Sequence, residues 1–453
     1  MRKFTLRTIA LLFSLAILLS GCSSLRLNQR EPITLTVWHV YGSQTESPFN
    51  ALVDDFNRTV GAESGVYVNV TCVTNSTEMD NLLTASLEKY PGALPLPDLF
   101  TSYPRIVEKF EETPLLDWSR YFSEEELSAF RQEFLAEGYF DDALLMLPIA
   151  KSSETLFLNK TLFDRFADDA AVSRDCFSTM EQLADVCNLY YERTDGKTLL
   201  QIDDYYYYFL SAMTAMGDEF IIDGKINAAS DAFAAAFAPI ARAAIRGGLC
   251  VGEGYASDRW KTGEILCCVG STAGILYQRD YVTYEDNTRE NIETQVLPYP
   301  CLSGEKKAVV QRGGGLFALR SDDERKNEAA ALFAKWITEP QHNLAFVTAA
   351  GYLPVTDEAF SALFDNLDSV KIEKYRLLYS AVKQQFDDGY SFCTQPQYAG
   401  AYELQQDFET LIRATFSQMH KKYLLRSERQ SDRDALTEEL SNAALAQLRA
   451  ALR

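Results

Sequence analysis

A chain of 453 residues with 47% hydrophobic and 12% aromatic residues can bury more than one core, which excludes a disordered chain and points to two or three domains. A formal net charge of −21 excludes nucleic acid as a partner and disfavours broad adhesion to an anionic membrane surface, because both need basic patches. Nine cysteines leave disulfides open, while three scattered histidines (His39, His342, His420) argue against a zinc or other metal site.

In chain order, Arg2, Lys3 and Arg7 come first, followed by an apolar run from Ile9 to Leu19 and then Leu19-Ser20-Gly21-Cys22. That is the plan of a signal peptide over residues 1–21. The run is shorter than the ~20 apolar residues a membrane span needs. The small residues before Cys22 resemble the bacterial lipobox, which implies a diacylglyceryl group on the Cys22 thiol and cleavage just before it. Buried acyl chains contribute ~0.8 kcal/mol per methylene, so the mature protein would be lipid-anchored to the outer face of a membrane, at a cell surface or in a periplasm. Residues 22–32 read as a polar linker ending at Pro32.

Ile33 to Trp38 alternates with period two and reads as a strand, and Phe49 to Phe56 has helical spacing. Val66 to Val70 is a second strand, Met79 to Leu87 a helix, and Pro97 to Phe100 a short strand. Leu156 to Leu158, Ile265 to Val269 and Leu316 to Leu319 read as strands, and 179–191, 231–246 and Ala329 to Ile337 as helices. Val296 to Pro300 is extended, since a residue before proline is pushed out of the helical region. Asp434 to Leu452 is amphipathic. Strands alternating with helices predict parallel α/β layers. Tyr205 to Tyr208 cannot all face one way on a regular element, so most of the run is expected to pack and at most one ring to reach a site.

Four segments carry a resemblance to a known family. They are Thr36-Val37-Trp38-His39 with its helix ending Asp55-Phe56-Asn57; Leu147-Pro148-Ile149-Ala150-Lys151-Ser152-Ser153-Glu154 continuing to Asn159-Lys160; Val296-Leu297-Pro298-Tyr299-Pro300 with Arg312-Gly313-Gly314-Gly315; and Phe333 to Pro354 with Gly351-Tyr352-Leu353-Pro354. In order and spacing these resemble the extracellular solute-binding proteins of ABC importers, in the group holding the maltodextrin- and glycerol-3-phosphate-binding proteins. The resemblance implies an α/β, two-lobe, periplasmic-binding-protein-like (type II) fold with hinge crossings. It places the N-terminal lobe at 33–149 and 301–343 and the C-terminal lobe at 150–300 and 344–453. It also implies a ligand closed between the lobes, a membrane permease as partner, a monomer, and no cofactor or catalysis.

Sugars offer flat apolar faces and rings of hydroxyls, so their sites use aromatic platforms with short polar groups. Trp38, His39 and Tyr41 at the end of the first strand, and Ser102 and Tyr103 after the third, are candidates by position, with core packing an equal alternative for Trp38. Trp260 is a possible platform, with core packing an equal alternative. From the resemblance come Ser153 after the first crossing, Ser271 after an apolar strand, Tyr352 in Gly-Tyr-Leu-Pro, and Tyr402 after Gln395-Pro396-Gln397. Gly313 and Gly314 would let backbone approach a ligand. Glycerol-3-phosphate binders carry a tyrosine, a glutamate and a late arginine where this chain has Thr77, Pro104 and a position near Ser391. The missing cation favours an uncharged sugar or oligosaccharide over a phosphate ester. A surface sugar sensor and a secreted glycoside hydrolase are the rival readings. The second lacks any Gly-x-Ser-x-Gly, His-Glu-x-x-His or P-loop signature.

Overall fold

The computed structural model describes residues 27–42, 47–304, 306–398, 400–430 and 432–453. The lipobox at Cys22 lies outside them. The strands of the two main sheets are β1 (Ile33–His39), β2 (Val66–Cys72), β3 (Leu99–Ser102), β4 (Glu154–Asn159), β5 (Leu200–Ile202), β6 (Leu249–Cys250), β7 (Cys267–Ser271), β8 (Thr294–Leu297) and β9 (Gly315–Ala318). The chain divides into two compact units: residues up to Ile149 with Gly315–Phe346, and Ala150–Gly314 with Val347–Arg453. The stretch 301–314, expected in the first lobe, belongs to the second. There Ala308–Val310 pairs in parallel with Ser391–Cys393, and Val309 and Val310 are buried in that lobe's core.

In the first unit the sheet order is β9-β3-β1-β2, with β1 parallel to β2 and β3 and β9 antiparallel to β3. Helix Pro48–Arg58 begins with Ser47 accepting from the Asn50 amide and buries Phe49, Leu52, Val53 and Phe56. Helix Ser76–Leu87 is capped by Asn75 and buries Met79 and Leu83. The chain enters this unit at Gly315, directly opposite Ser102.

In the second unit the order is β6-β5-β7-β4-β8. β5, β6 and β7 run parallel, as the alternation of strands and helices predicts, but β4 runs antiparallel to β7 and β8. The chain enters this unit at Ala150 and begins β4 with Glu154 opposite Ser271, the last residue of β7, so β4 has to run back along the sheet. Helix Tyr205–Ala215 is buried on all sides, and all four of its tyrosines are buried. Successive residues turn ~100° around a helix, so the rings fan into different contacts. Helix Asp231–Arg246 stops at Gly247, whose φ of +99° an L side chain would resist. Helix Ala401–Ser427, which the sequence reading passes over, contributes Phe408, Ile412 and Phe416 to this core.

Among the described residues Cys176, Cys187, Cys250, Cys267, Cys268, Cys301 and Cys393 are free thiols. Cys267 and Cys268 are buried in β7, the environment expected from their apolar setting.

Candidate functional site

Parallel strands present ligands at their carboxyl ends. In the first unit that edge holds the ends of β1 and β3. The ring of His39, the last residue of β1, is fully buried. Its Nδ1 accepts from the Tyr41 amide at 3.2 Å and its Nε2 meets Asn50 Oδ1 at 2.7 Å, so Nε2 carries the proton and donates. Burial pushes its pKa down to about 4, against the opposing effect of the Asn50 contact. His39 is therefore neutral, and it holds the turn that carries Tyr41. The Tyr41 ring packs 5.6 Å from Phe49 and edge-on to Phe346 at 5.1 Å. Its hydroxyl is pushed to a higher pKa by burial first and by Tyr103 second.

Ser102 Oγ donates to Asp80 Oδ1 at 2.9 Å. Arg105 binds Asp80 Oδ2 through Nε at 2.9 Å and Nη2 at 2.7 Å, and its guanidinium lies 4.8 Å from the centre of the Tyr103 ring. Asp80 and Arg105 are absent from the sequence reading. One carboxylate among 64 acidic residues carries no signal of its own, and Arg105 stands beside Pro104, where the sequence shows only a departure from the family pattern. Trp38 is 6% exposed and lies in a core cluster with Met79, Leu83, Phe100 and Phe317, the packing alternative for this residue. Both faces of a parallel sheet are covered, so a strand-end tryptophan has a core to fill.

The second unit sorts its candidates in the same way. Trp260 is 0% exposed and donates from Nε1 to Arg279 O at 3.1 Å, which makes it a core residue. Ser153 is fully buried and spends its hydroxyl on Val310 O at 3.0 Å, so its role is to join two segments of the lobe. Gly313 has a φ of +97°, and a Cβ there would stand 2.9 Å from Ala150 O. This buried turn requires glycine, while Gly314 is half-buried. Ser271 caps the short 3₁₀ turn Thr272–Tyr277 by accepting from the Ala273 amide at 3.3 Å. Tyr352 is half-buried, with its carbonyl accepting from Tyr379 Oη at 2.8 Å. Tyr402 is half-buried in the first turn of helix Ala401–Ser427.

A larger polar cluster sits at the edge where β7 ends and β4 begins. Arg312 Nη1 contacts Glu154 Oε1 at 2.9 Å, and the same guanidinium lies 4.5 Å from the centre of the Tyr207 ring. Tyr207 Oη donates to Gln395 Oε1 at 3.1 Å, Gln395 Nε2 to Gln405 Oε1 at 3.2 Å, and Gln405 Nε2 to Asp204 Oδ2 at 2.9 Å. Asp204 also caps helix Tyr205–Ala215 through the Tyr207 amide at 3.0 Å. Arg413 binds Glu409 at 3.1 Å and donates to Asp203 O at 2.9 Å. Burial pushes Glu154 up to about 7; Arg312 opposes the shift, and Asp204 and Asp203 reinforce it. Burial, with Asp204 beside it, pushes Glu409 up to about 8. Of the tyrosine run, Tyr207 faces the Arg312 guanidinium, and Tyr205 lies beneath the Arg413 guanidinium at 4.8 Å. A separate groove of about 1140 Å³, bordered by Lys261, Arg279, Tyr281 and Tyr284, opens elsewhere on this lobe.

Each lobe thus presents a tyrosine covered by an arginine that is paired with an acidic side chain. Among the described residues no group of side chains could hold a metal ion, and no helix is long and apolar enough to cross a membrane.

Comparison with known proteins gives the context. No curated protein sequence matches the chain. Among solved structures, the cyclic α-maltosyl-1,6-maltose binding protein of Arthrobacter globiformis is 20% identical with a TM-score of 0.62, covering 92% of this chain and 99% of its own. The GacH receptor of Streptomyces glaucescens, solved unliganded and with acarbose, is 17% identical at 0.63, covering 92% and 99%. UgpB of Mycobacterium tuberculosis, in complex with glycerophosphocholine, is 16% identical at 0.64, covering 93% and 100%. These share the two-lobe periplasmic-binding-protein fold. The sequence pattern described as "Bacterial extracellular solute-binding protein" matches residues 51–375, most of the chain, and the protein belongs to that family.

Proposed function

We propose that this protein captures an uncharged sugar or oligosaccharide for an ABC importer, anchored through Cys22 at the outer face of the membrane and delivering its solute to a membrane permease. The observation that carries the reading is the pairing at the two sheet edges. Arg105 on Tyr103 is balanced by Asp80, and Arg312 on Tyr207 is paired with Glu154, with Asp203 and Asp204 close by. A tyrosine face suits a sugar ring. An arginine already held by a carboxylate still offers directed N–H donors to hydroxyls but no surplus charge for a phosphate. Each lobe would contribute its edge to one solute, so binding would favour the closed arrangement of the lobes. The maltose-type ligands of the solved relatives point the same way, while glycerophosphocholine in one of them keeps a phosphate ester as the competing ligand class.

The test is thermal unfolding of residues 31–453 against mono- and oligosaccharides, polyols and glycerol-3-phosphate. A ligand at 100 times its Kd adds roughly 2.7 kcal/mol. A rise in midpoint with one uncharged sugar class supports the reading; a rise with the phosphate ester alone overturns the charge argument. Turnover of the bound sugar would replace transport with hydrolysis.

A further inference from the structure

Residues 28–33 are fastened to the first lobe. Asn28 Oδ1 accepts from the amides of Arg30 and Glu31 at 3.1 and 3.2 Å, Gln29 Nε2 donates to Ala62 O at 3.0 Å, and the Ile33 amide donates to Gly65 O at 2.8 Å. Arg325, in the first turn of helix Glu324–Thr338, donates to Glu31 O and pairs with Glu31 Oε2 at 3.3 Å. Gly65 has a φ of +71°, and a Cβ there would stand 2.2 Å from Asn28 O, so this position admits no side chain while the segment lies in place. A polar stretch of this kind would ordinarily remain a solvated linker.

We infer that residues 28–33 form a strap that shortens the lipid tether and turns the amino edge of the first sheet toward the lipid surface; this rests on the proposed anchor at Cys22. From Cys22 to Asn28 the chain reaches about 20 Å at full extension. A lobe of roughly 150 residues has a radius of gyration of about 15 Å and a diameter of about 40 Å. A tether shorter than the lobe's diameter keeps the strapped face toward the membrane. β1 starts at the strap and runs seven residues, about 20 Å, to His39, so the edge holding Tyr103 and Arg105 points outward. With the strap released, the chain from Cys22 to Ile33 reaches about 38 Å, enough for the lobe to turn over. The strap thus separates an outward-facing capture orientation from one in which the same edge can meet a partner in the membrane.

The test uses the lipidated full chain in liposomes carrying a headgroup energy acceptor, with a donor dye at position 63, beside the strap, or at position 108, just past β3. Transfer from position 63 is expected to exceed that from position 108 severalfold. The two efficiencies converge in the double variant Gln29→Ala, Arg325→Ala. They also converge in a chain with a twelve-residue Gly/Ser insert before Leu27, which leaves the fold untouched. Equal transfer from both positions in the lipidated wild-type chain overturns the strap alone. A mature chain whose mass shows no lipid on Cys22 overturns the anchor and the strap with it.

Discussion

Glu154 and Arg312 meet at 2.9 Å, one on the first residue of β4 just after the chain enters the second lobe, the other three residues before it leaves. The Glu154 side chain is buried, with the residue 1% exposed, and among the described residues its Oε2 has no hydrogen-bond partner. A buried ion pair of this kind is weak evidence for stability, since desolvation offsets the attraction, but it fixes the geometry of both segments.

The pair gives stability a pH dependence with a definite sign. Burial raises the Glu154 pKa in the folded chain to about 7 from the usual 4.5. Between those values the folded state holds a proton that the unfolded state has lost, so this contribution is largest below pH 4.5 and falls as pH rises toward 7. The full change is on the order of 3 kcal/mol. His39 acts in the opposite sense: its pKa is lowered from 6.5 to about 4, so its contribution is lost as pH falls through that interval. Chemical denaturation of Glu154→Gln at a series of pH values should show the wild-type slope between pH 4.5 and 7 shifted so that stability no longer falls as steeply with rising pH. An unchanged slope would remove Glu154 from the account.

At the first lobe, Arg105→Ala and Tyr103→Ala should each weaken sugar affinity by about tenfold, the ~1.4 kcal/mol of one stacked or charge-assisted contact. Isothermal titration measures this. Arg105 is partly exposed and paired with one carboxylate, so its unfolding midpoint should stay close to that of the wild type.

Ser153→Ala and Trp260→Ala should move stability without a specific effect on the ligand. Loss of the Ser153 hydroxyl leaves Val310 O without that bond and costs about 1–2 kcal/mol. Emptying the Trp260 site costs about 3–5 kcal/mol. Denaturant melts should show both losses. A Ser153→Ala protein of wild-type stability but lower affinity would return that serine to the ligand.

Gly313→Ala should destabilise by roughly 1–3 kcal/mol, because the backbone has a positive φ and the new methyl meets Ala150 O. Gly314→Ala has no such φ and should be milder. Thermal midpoints of the two variants give the comparison.

The thiols should react in order of burial. Cys187, Cys267 and Cys268 are buried, and burial holds their pKa well above the usual thiol value. Cys72, Cys250 and Cys393 are half-buried. Timed alkylation followed by mass spectrometry should label the half-buried set first and the buried set only on unfolding.

The α/β alternation was legible in the sequence because its signals are local, while the two-lobe arrangement came from the resemblance carried by the crossing segments. Period-two apolar runs at β1 and β2, helical spacing at Phe49 to Phe56, and the order of the crossing segments survive in one dimension. The ends of helix Asp231–Arg246 were readable too, since Gly247 must stop it. Helix Ala401–Ser427 was harder to see: its buried face includes Gln405 and Thr415 among the apolar residues, which blurs the pattern.

The sequence by itself determined the acidic charge, the α/β alternation, and the positions of Tyr41, Ser102 and Tyr103 at strand ends. Tertiary structure alone decided which side chains in those neighbourhoods are spent on the fold. Trp38, Trp260 and Ser153 are occupied by core packing or a buried bond. The Asp80–Arg105 and Glu154–Arg312 pairs join residues 25 and 158 positions apart. Burial and pairing over such separations depend on how the strands are ordered in each sheet, and that order leaves no periodic trace in the chain.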